Sequence, residues 1–465
     1  MSGIIGSYKY KVDDLAKKTS ILSHRGTREK RVLEKDNFQV AFIPNEPKSI
    51  NCKHGKIAVC DGEIYPISQD ESPASMISQL IWSSPRRLGD LNGMFAFAAS
   101  DGERLFMARD QLGTKPLFYI QYGEGIVFAS EAKSLADFDG EIKRFPAGHY
   151  FDSEKGFARF YELPSKKTNV DEQTVAPRLY DHLDLAIKLR MHPGIGAWLS
   201  GGLDSSAICA LASQYTNRLS TFFVGTEGAS DRPYAQIVAD YLSTDHHERI
   251  LTPTEIVESL PKVIFRLESF DACLVRSSVL NHFAAKLASD HVSVILSGEG
   301  SDELFGGYDY LSDVQDLDNE LVNITNALQD TSLQRVDRMS SAHSITARVP
   351  FTDHNVVEYA FSLPADIKVF NGTDQGKWIL RKAMEGKLPK EIIQRKKIKF
   401  WQGGGVTEIL GRYADGVVPD LEFNKANSKQ GIHFGNKEDY LYYKILSEQM
   451  SNLSFLNSAG RTEHP

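Results

Sequence analysis

The sequence predicts an α/β chain in two parts. An antiparallel β part comes first, and a parallel, helix-covered sheet with a mainly helical C-terminal stretch follows. Three observations predict this. Successive hairpins run through the first ~150 residues, short buried strands alternate with helical patterns from Gly194, and helical patterning dominates from about residue 308. With 465 residues, the chain has room for two or three domains.

Each part has a reason in its residues. "GKIAVCDGEIYPI" is a run of strand formers, expected to break at Asp61–Gly62. "GMFAFAAS", "DGE" and "RLFMARD" form a hairpin that turns at Asp101–Gly102. "PLFYIQYGEGIVFAS" repeats that pattern around Gly123 and Gly125. Residues 152–176 are polar, carry Pro164 and are the expected linker. Beyond them, "GIGAWL", "LSTFFVG", "HHERIL" and "VSVIL" are strands; a helix from Ser205 follows the first and "RPYAQIVADYLS" the second.

Bulk composition narrows the function classes. A net charge of −8 argues against broad nucleic-acid binding. No apolar run is long enough for a membrane span, and the N-terminus lacks a leader pattern, so a cytoplasmic protein is expected. The four cysteines contain no C-x-x-C pair, so neither zinc nor a disulfide framework is expected.

Residues 198–207, "WLSGGLDSSA", carry the first chemical signal. A strand ends at Leu199 and a helix begins near Ser205. Gly201 and Gly202 let backbone N–H groups approach an anion, and Ser200, Ser205 and Ser206 add hydroxyls. Asp204 would repel a bare anion, so it makes sense as a holder of a divalent cation that also touches phosphate. A Walker loop carries a lysine here and this loop has none, which suits a leaving pyrophosphate better than a transferred γ-phosphate. A second strand ends in "SGEGSDELFGGY", and both loops are expected at the carboxyl edge of the sheet. Asp302 is then the second carboxylate on the cation, with Ser297, Gly298 and Glu299 beside it.

These two loops resemble the pyrophosphate-loop ATP pyrophosphatases, and the second narrows the resemblance to the asparagine synthetase family, β-lactam synthetase included. "HHE", "ESFDACLVRSS", "ARVPFTD", "GKWILRKAMEGKLPKEI" and "RKKIKF" resemble that family in order and spacing. "HRG", "DGEIY", "LNGMFAFA", "ARDQLGTKPLFY" and "FPAGHY" resemble its glutaminase domain. The resemblance implies a glutamine amidotransferase type 2-like β-sandwich of Ntn-hydrolase type over residues 1–160. It implies a HUP-like ATP pyrophosphatase domain over 175–465. It also implies ATP and Mg²⁺, adenylation of an aspartate-like acid, and transfer to ammonia or an amine. Lys397 matches the family lysine near the transferring phosphate, where it neutralises developing charge. Lys377 and Arg381, four apart on an expected helix, would share a face toward phosphate or carboxylate. Leu203 lies in the loop, and Val224 and Gly225 would hold adenosine through their backbone. Glu268, Asp271, Arg276 and Ser278 match the stretch near the acid, Arg276 being suited to a bidentate carboxylate contact.

The chain departs from the family in the glutaminase site. Ser2 stands where the family has its cysteine nucleophile, and a hydroxyl is far weaker than a low-pKa thiol. Asp61, before Gly62, replaces an asparagine amide donor. "PASMISQL" replaces Ser-Asp-x-Glu, and the Arg-Leu-x-Ile-x-Asp segment is missing near 45–52. Thr346 stands where a glutamate is thought to take the nitrogen nucleophile's proton. The expected function is an AMP-forming amide ligase with an inactive glutaminase-like domain. The alternatives are a specialised ligase with an amine nucleophile and a non-catalytic nucleotide binder. No nucleic-acid or membrane partner is expected; a homodimer and a separate glutaminase are compatible with the sequence.

Overall fold

The computed structural model describes residues 2–44, 49–53, 55–68, 70–168, 171–370, 375–428 and 432–458. Part of the 45–52 stretch and residues 169–170 of the expected linker therefore lie outside the described residues.

The first twelve strands make two six-stranded antiparallel sheets. They are β1 (Gly3–Tyr8), β2 (Arg31–Lys35), β3 (Phe38–Ile43), β4 (Ile50–Lys53), β5 (Lys56–Ile64) and β6 (Gly93–Ser100). The rest are β7 (Leu105–Arg109), β8 (Phe118–Tyr122), β9 (Gly125–Ala129), β10 (Lys143–Arg144), β11 (His149–Asp152) and β12 (Gly156–Arg159). One sheet runs β10-β8-β9-β1-β3-β2 and the other β12-β11-β7-β6-β5-β4. Ile4, Phe38, Val40 and Phe42 of the first meet Val59, Ala96, Ala98 and Met107 of the second in a shared core. That alternation of inward faces is what two stacked sheets require. The helix Pro73–Ser83 covers the outer face of the second sheet through Ala74, Ile77 and Ile81. The outer face of the first sheet, with Ile5, Ala41, Val127 and Ala129, joins the large apolar core of the C-terminal half.

Two expectations change here. β5 runs unbroken through Asp61–Gly62, because Gly62 takes φ 152° and a Cβ there would lie 2.0 Å from the Met94 carbonyl oxygen. The 152–176 stretch is not all linker. It holds the β11–β12 hairpin, and the helix Glu172–Arg190 has already begun at its end.

The later sheet is parallel. Its strands are β13 (Gly196–Trp198), β14 (Ser220–Thr226), β15 (Asp245–Leu251), β16 (Val294–Leu296) and β17 (Thr346–Arg348), in the order β15-β14-β13-β16-β17. From β13 the chain first builds outward through β14 and β15, then crosses to the other side for β16 and β17. The order reverses between β13 and β16, and a crevice opens beyond the carboxyl ends of strands at such a reversal. The loops that leave those two strands are the two glycine-rich loops. Among the described residues no helix is long and apolar enough to cross a membrane.

Candidate active site

The crevice is a cavity of about 590 Å³. On one side β13 runs through Leu199 into the helix Leu203–Ala212. Gly201 takes φ 75°, and a Cβ there would sit 2.4 Å from the Ala235 backbone nitrogen, so no side chain fits. Ser200 and Ser205 lie hydroxyl to hydroxyl at 3.1 Å, and Ser205 Oγ also donates to the Gly202 carbonyl. On the other side, Gly298 packs so tightly that a Cβ would lie 3.0 Å from the Ser205 nitrogen. Ser301 Oγ donates to Asp204 Oδ1 at 2.7 Å, tying the second loop to the first.

Between the loops four charges form a square. Lys377 Nζ lies 2.5 and 2.6 Å from the two Asp204 oxygens and 2.6 Å from Asp302 Oδ1. Lys397 Nζ lies 2.6 Å from Asp302 Oδ2 and 3.5 Å from Asp204 Oδ2. Burial alone would raise the Asp302 pKa, but Lys377 and then Lys397 pull it well below the carboxylate range. Burial would likewise lower Lys397, and Asp302 and Asp204 hold it well above the ordinary lysine value. The lysine missing from the first loop is thus supplied twice, from segments far along the chain. The donor set fits Mg²⁺: two carboxylates, all oxygen, with the Lys377 ammonium standing between them where a cation is favoured. Gly307 closes the square, since a Cβ there would lie 1.8 Å from Asp302 Oδ1 and 2.3 Å from Lys377 Cε.

The expected residues divide. Ser200, Gly202, Leu203, Asp204, Ser205, Val224, Ser297, Gly298, Glu299, Asp302, Lys377, Arg381 and Lys397 line the cavity. Gly201, Ser206 and Gly225 do not; Gly201 packs on Tyr234–Ala235, and the Ser206 hydroxyl is buried with no hydrogen-bond partner among the described residues. Lys377 and Arg381 do not share a helix face. Lys377 precedes the helix Trp378–Ala383 in a left-handed conformation (φ 64°). Arg381 spends its donors on the carbonyls of Gly376, Ile393 and Arg395, so it fixes the segments that carry both lysines.

The four residues expected near the acid are engaged outside the cavity. Glu268 is buried and receives both Nε and Nη2 of Arg338. Asp271 caps the helix Ala272–Ser289 by accepting from Leu274 N. Arg276 pairs through two nitrogens with Glu438, and Ser278 donates to the Leu274 carbonyl. None of the four lines the cavity; Cys273, Leu274, Ser277 and Asn281 of the same helix do. Burial pushes the Cys273 thiol up to about 12, so it is no thiolate nucleophile. Thr346 also lies away from the cavity, because it pairs with Val294 at the entering end of β16 rather than at its carboxyl end.

Sequence reasoning missed several cavity residues. Glu303 is 4% exposed and accepts from Tyr308 Oη at 2.6 Å. Burial, with Asp302 adding to it, raises its carboxyl to about 7. The second acidic residue of "SDEL" was the signal available for it. Arg395 pairs with Asp231 and stacks 3.9 Å over the Tyr234 ring. Arg335 reaches the cavity from the helix Ser332–Ser341 and pairs with Glu299; no local motif marks it.

In the N-terminal half, Ser2 is 3% exposed. Its backbone nitrogen donates to Asp61 Oδ1 at 2.7 Å, and its carbonyl accepts Arg25 Nε at 3.0 Å. Arg25 is wholly buried and also pairs with Asp61, Glu131 and Asp337, each at 2.8 Å. Lys115 adds a contact to Asp337 at 3.2 Å, and Lys133 links Glu131 to Glu268. The Asp61 carboxylate, an awkward neighbour for an oxyanion, is answered by a guanidinium. Asp337 comes from the C-terminal half, so the cluster crosses between the two halves.

Fold, site and sequence matches together make this chain a carbon–nitrogen ligase. The family described as asparagine synthase matches residues 178–321 and 310–429, and a glutamine amidotransferase domain matches 64–137. "Asparagine synthetase B [glutamine-hydrolyzing]" of Escherichia coli (strain K12) is 32% identical, covering 96% of this chain and 91% of its own. "Probable asparagine synthetase [glutamine-hydrolyzing]" of Dictyostelium discoideum is 34% identical, covering 76% and 72%. "Asparagine synthetase [glutamine-hydrolyzing] 2" of Oryza sativa subsp. japonica is 33% identical, covering 90% and 76%. The chain belongs to the asparagine synthetase family.

Proposed function

We propose that this protein adenylates the side-chain carboxylate of aspartate or a similar acid with ATP and passes the acyl group to ammonia taken from solution. The observation that carries the reading is the Asp204–Asp302–Lys377–Lys397 square, held between two glycine-rich loops at the sheet's switch point. The acid's oxygen attacks the α-phosphorus, the bond to the bridging oxygen breaks, and pyrophosphate leaves. Lys377 and Lys397 neutralise the charge that builds on the departing oxygens. Mg²⁺, held by Asp204 and Asp302, would supply further neutralisation of the phosphates. Ammonia then attacks the acyl carbon and AMP departs. Glu303, with its carboxyl near 7, is suited to take the proton that nitrogen sheds.

The Ser2 surroundings support a domain that does not hydrolyse glutamine. Its nucleophile is a hydroxyl, and Asp61 and Arg25 are committed to each other. The amine-nucleophile alternative rests on Thr346 and Ser2; Thr346 lies outside the cavity, and Ser2 is buried in the N-terminal half. The test is pyrophosphate and amide formation from ATP, Mg²⁺ and aspartate, with ammonium or glutamine as donor. Amide from ammonium and not from glutamine is expected. Glutamine-driven amide formation that Ser2→Ala abolishes would reverse the assignment of the N-terminal domain, and no pyrophosphate with any acid would leave a nucleotide binder.

A further inference from the structure

Strand β5 sends a second acidic side chain, Glu63, across to the C-terminal half. Arg348, at the end of β17, donates Nε to Glu63 Oε2 at 2.8 Å and Nη2 to Glu63 Oε1 at 2.6 Å. Its third nitrogen, Nη1, donates to the Arg190 carbonyl at 2.6 Å. The Arg348 side chain is 1% exposed, so Glu63 supplies the counter-charge of a buried guanidinium, in the two-pronged geometry that guanidinium and carboxylate share. Tyr65 Oη donates to Glu63 Oε2 at 2.6 Å and holds the carboxylate in place. Burial alone would raise the Glu63 carboxyl, but Arg348 brings it down to about 2, so the pair is charged at neutral pH.

Arg348 is also part of the frame of the second glycine-rich loop. Leu296 of β16 pairs with Arg348, and the Ser297 amide donates to the Arg348 carbonyl at 3.0 Å. The next residue, Gly298, packs against Asp204 and Ser205, and the loop then presents Glu299 and Asp302 to the cavity. The backbone of Arg348 therefore sets where the strand stops and the loop starts, while its side chain is anchored in the N-terminal half. A second tie ends at the same loop. Asp61, two residues before Glu63, pairs with Arg25, and Arg25 pairs with Asp337. The helix that carries Asp337 also carries Arg335, which pairs with Glu299.

We propose that Glu63 is a positioning residue for the ligase reaction: through Arg348 it fixes the loop that carries Ser297 and Asp302, so the N-terminal half takes part in adenylation through a buried ion pair. This rests on the reading of the cavity as an adenylating site and gives the N-terminal half a role in that reaction which needs no glutamine.

The experiment follows pyrophosphate release from ATP, Mg²⁺ and aspartate in full-length wild type, Glu63→Gln and Tyr161→Phe, with urea midpoints for each. Glu63→Gln keeps the size and a carbonyl acceptor but removes the charge. Tyr161→Phe removes a 2.9 Å hydrogen bond to Glu358, on the helix His354–Ser362, which does not line the cavity. In Glu63→Gln, kcat is expected to fall about 10-fold and the Mg²⁺ needed for half-maximal rate to rise, because Asp302 lies on the displaced loop. KM for aspartate should change little, and Tyr161→Phe should keep the wild-type kcat. Glu63→Asp, one methylene short, should lie between wild type and Glu63→Gln, and it carries the comparison alone if Glu63→Gln does not fold. A lowered urea midpoint with wild-type kcat and Mg²⁺ requirement overturns the proposal, and so does a loss of kcat that Tyr161→Phe shares. Direct binding separates this from failure of the adenylation reading. If wild type releases no pyrophosphate, thermal stabilisation by magnesium pyrophosphate is measured instead. Stabilisation that weakens in Glu63→Gln and not in Tyr161→Phe supports the positioning role; equal stabilisation of all three, or none of wild type, refutes it.

Discussion

Glu303 offers a test that needs no substrate. Its carboxyl is buried beside Asp302, and those two causes lift it from an ordinary 4.5 to about 7. Between those values the folded protein keeps the proton and the unfolded chain has released it. Unfolding therefore sheds a proton in that window, and stability falls as pH rises through it. At 1.36 kcal/mol per pH unit, the gap corresponds to about 3 kcal/mol, fully present below pH 4.5 and fully lost above pH 7. Glu303→Gln keeps a carbonyl acceptor for the Tyr308 hydroxyl but carries no proton to lose. The variant should gain on wild type steadily from about pH 5 to 7 and hold a constant advantage above. Urea midpoints of both ligand-free proteins from pH 5 to 8.5 measure this. The difference between them is the quantity to read, because the other titrating groups cancel and a two-part chain need not unfold in one step. Parallel midpoint curves across the range would refute the burial argument. So would a wild type that gains on the variant as pH rises.

Other consequences are as direct. Gly307→Ala drives a methyl into Asp302 and Lys377 and should cut pyrophosphate release by about 100-fold or more, while the fold persists by circular dichroism. Chelation of divalent cations should abolish pyrophosphate release and added Mg²⁺ restore it, with Asp204→Asn and Asp302→Asn requiring more Mg²⁺ in a titration. Lys368 is wholly buried with its ammonium donating to the Ala360 carbonyl, and burial brings its pKa down to about 7. Lys368→Met should raise the urea midpoint, most at pH below 7 where wild type must carry the charge. Arg25→Met leaves Asp61, Glu131 and Asp337 short of their shared cation and should destabilise the protein by about 3–5 kcal/mol in denaturant titrations.

The parts of the site that were legible in the sequence are those made by local chain geometry. Strand, glycine turn and helix follow one another within ten residues at 198–207, and the same grammar recurs at 294–305, so both loops and both aspartates could be read directly. Which residues of the 268–278 stretch face the cavity could not. Position along "ESFDACLVRSS" says nothing of which helix face turns to the cavity, and the structure shows Cys273, Leu274 and Ser277 there rather than Arg276. Arg335 enters from a helix with no motif, and its meaning comes only from Glu299 and Phe400 nearby. Lys377 shows a subtler failure. The i,i+4 spacing to Arg381 suggested one face, but Lys377 sits one residue before the helix at φ 64°. The pairing rule holds only inside a helix.

The charges around Arg25 bear on how the protein can be divided. Asp337 and Arg338 reach Arg25 and Glu131 of the N-terminal half from the same helix that presents Arg335 to the cavity. Cut away residues 1–160, and Asp337 loses Arg25 and Lys115 together, while Glu268 loses Lys133. Asp337, on the helix Ser332–Ser341, is then short of two cations, and Glu268, at the end of the helix Pro253–Leu267, keeps Arg338. A chain shortened to its C-terminal half should thus be less stable than the same half in the full chain. Retention of the N-terminal half then has a structural reason, because its Arg25, Lys115 and Lys133 add counter-ions for Asp337 and Glu268 beyond the Arg338 that the C-terminal half supplies.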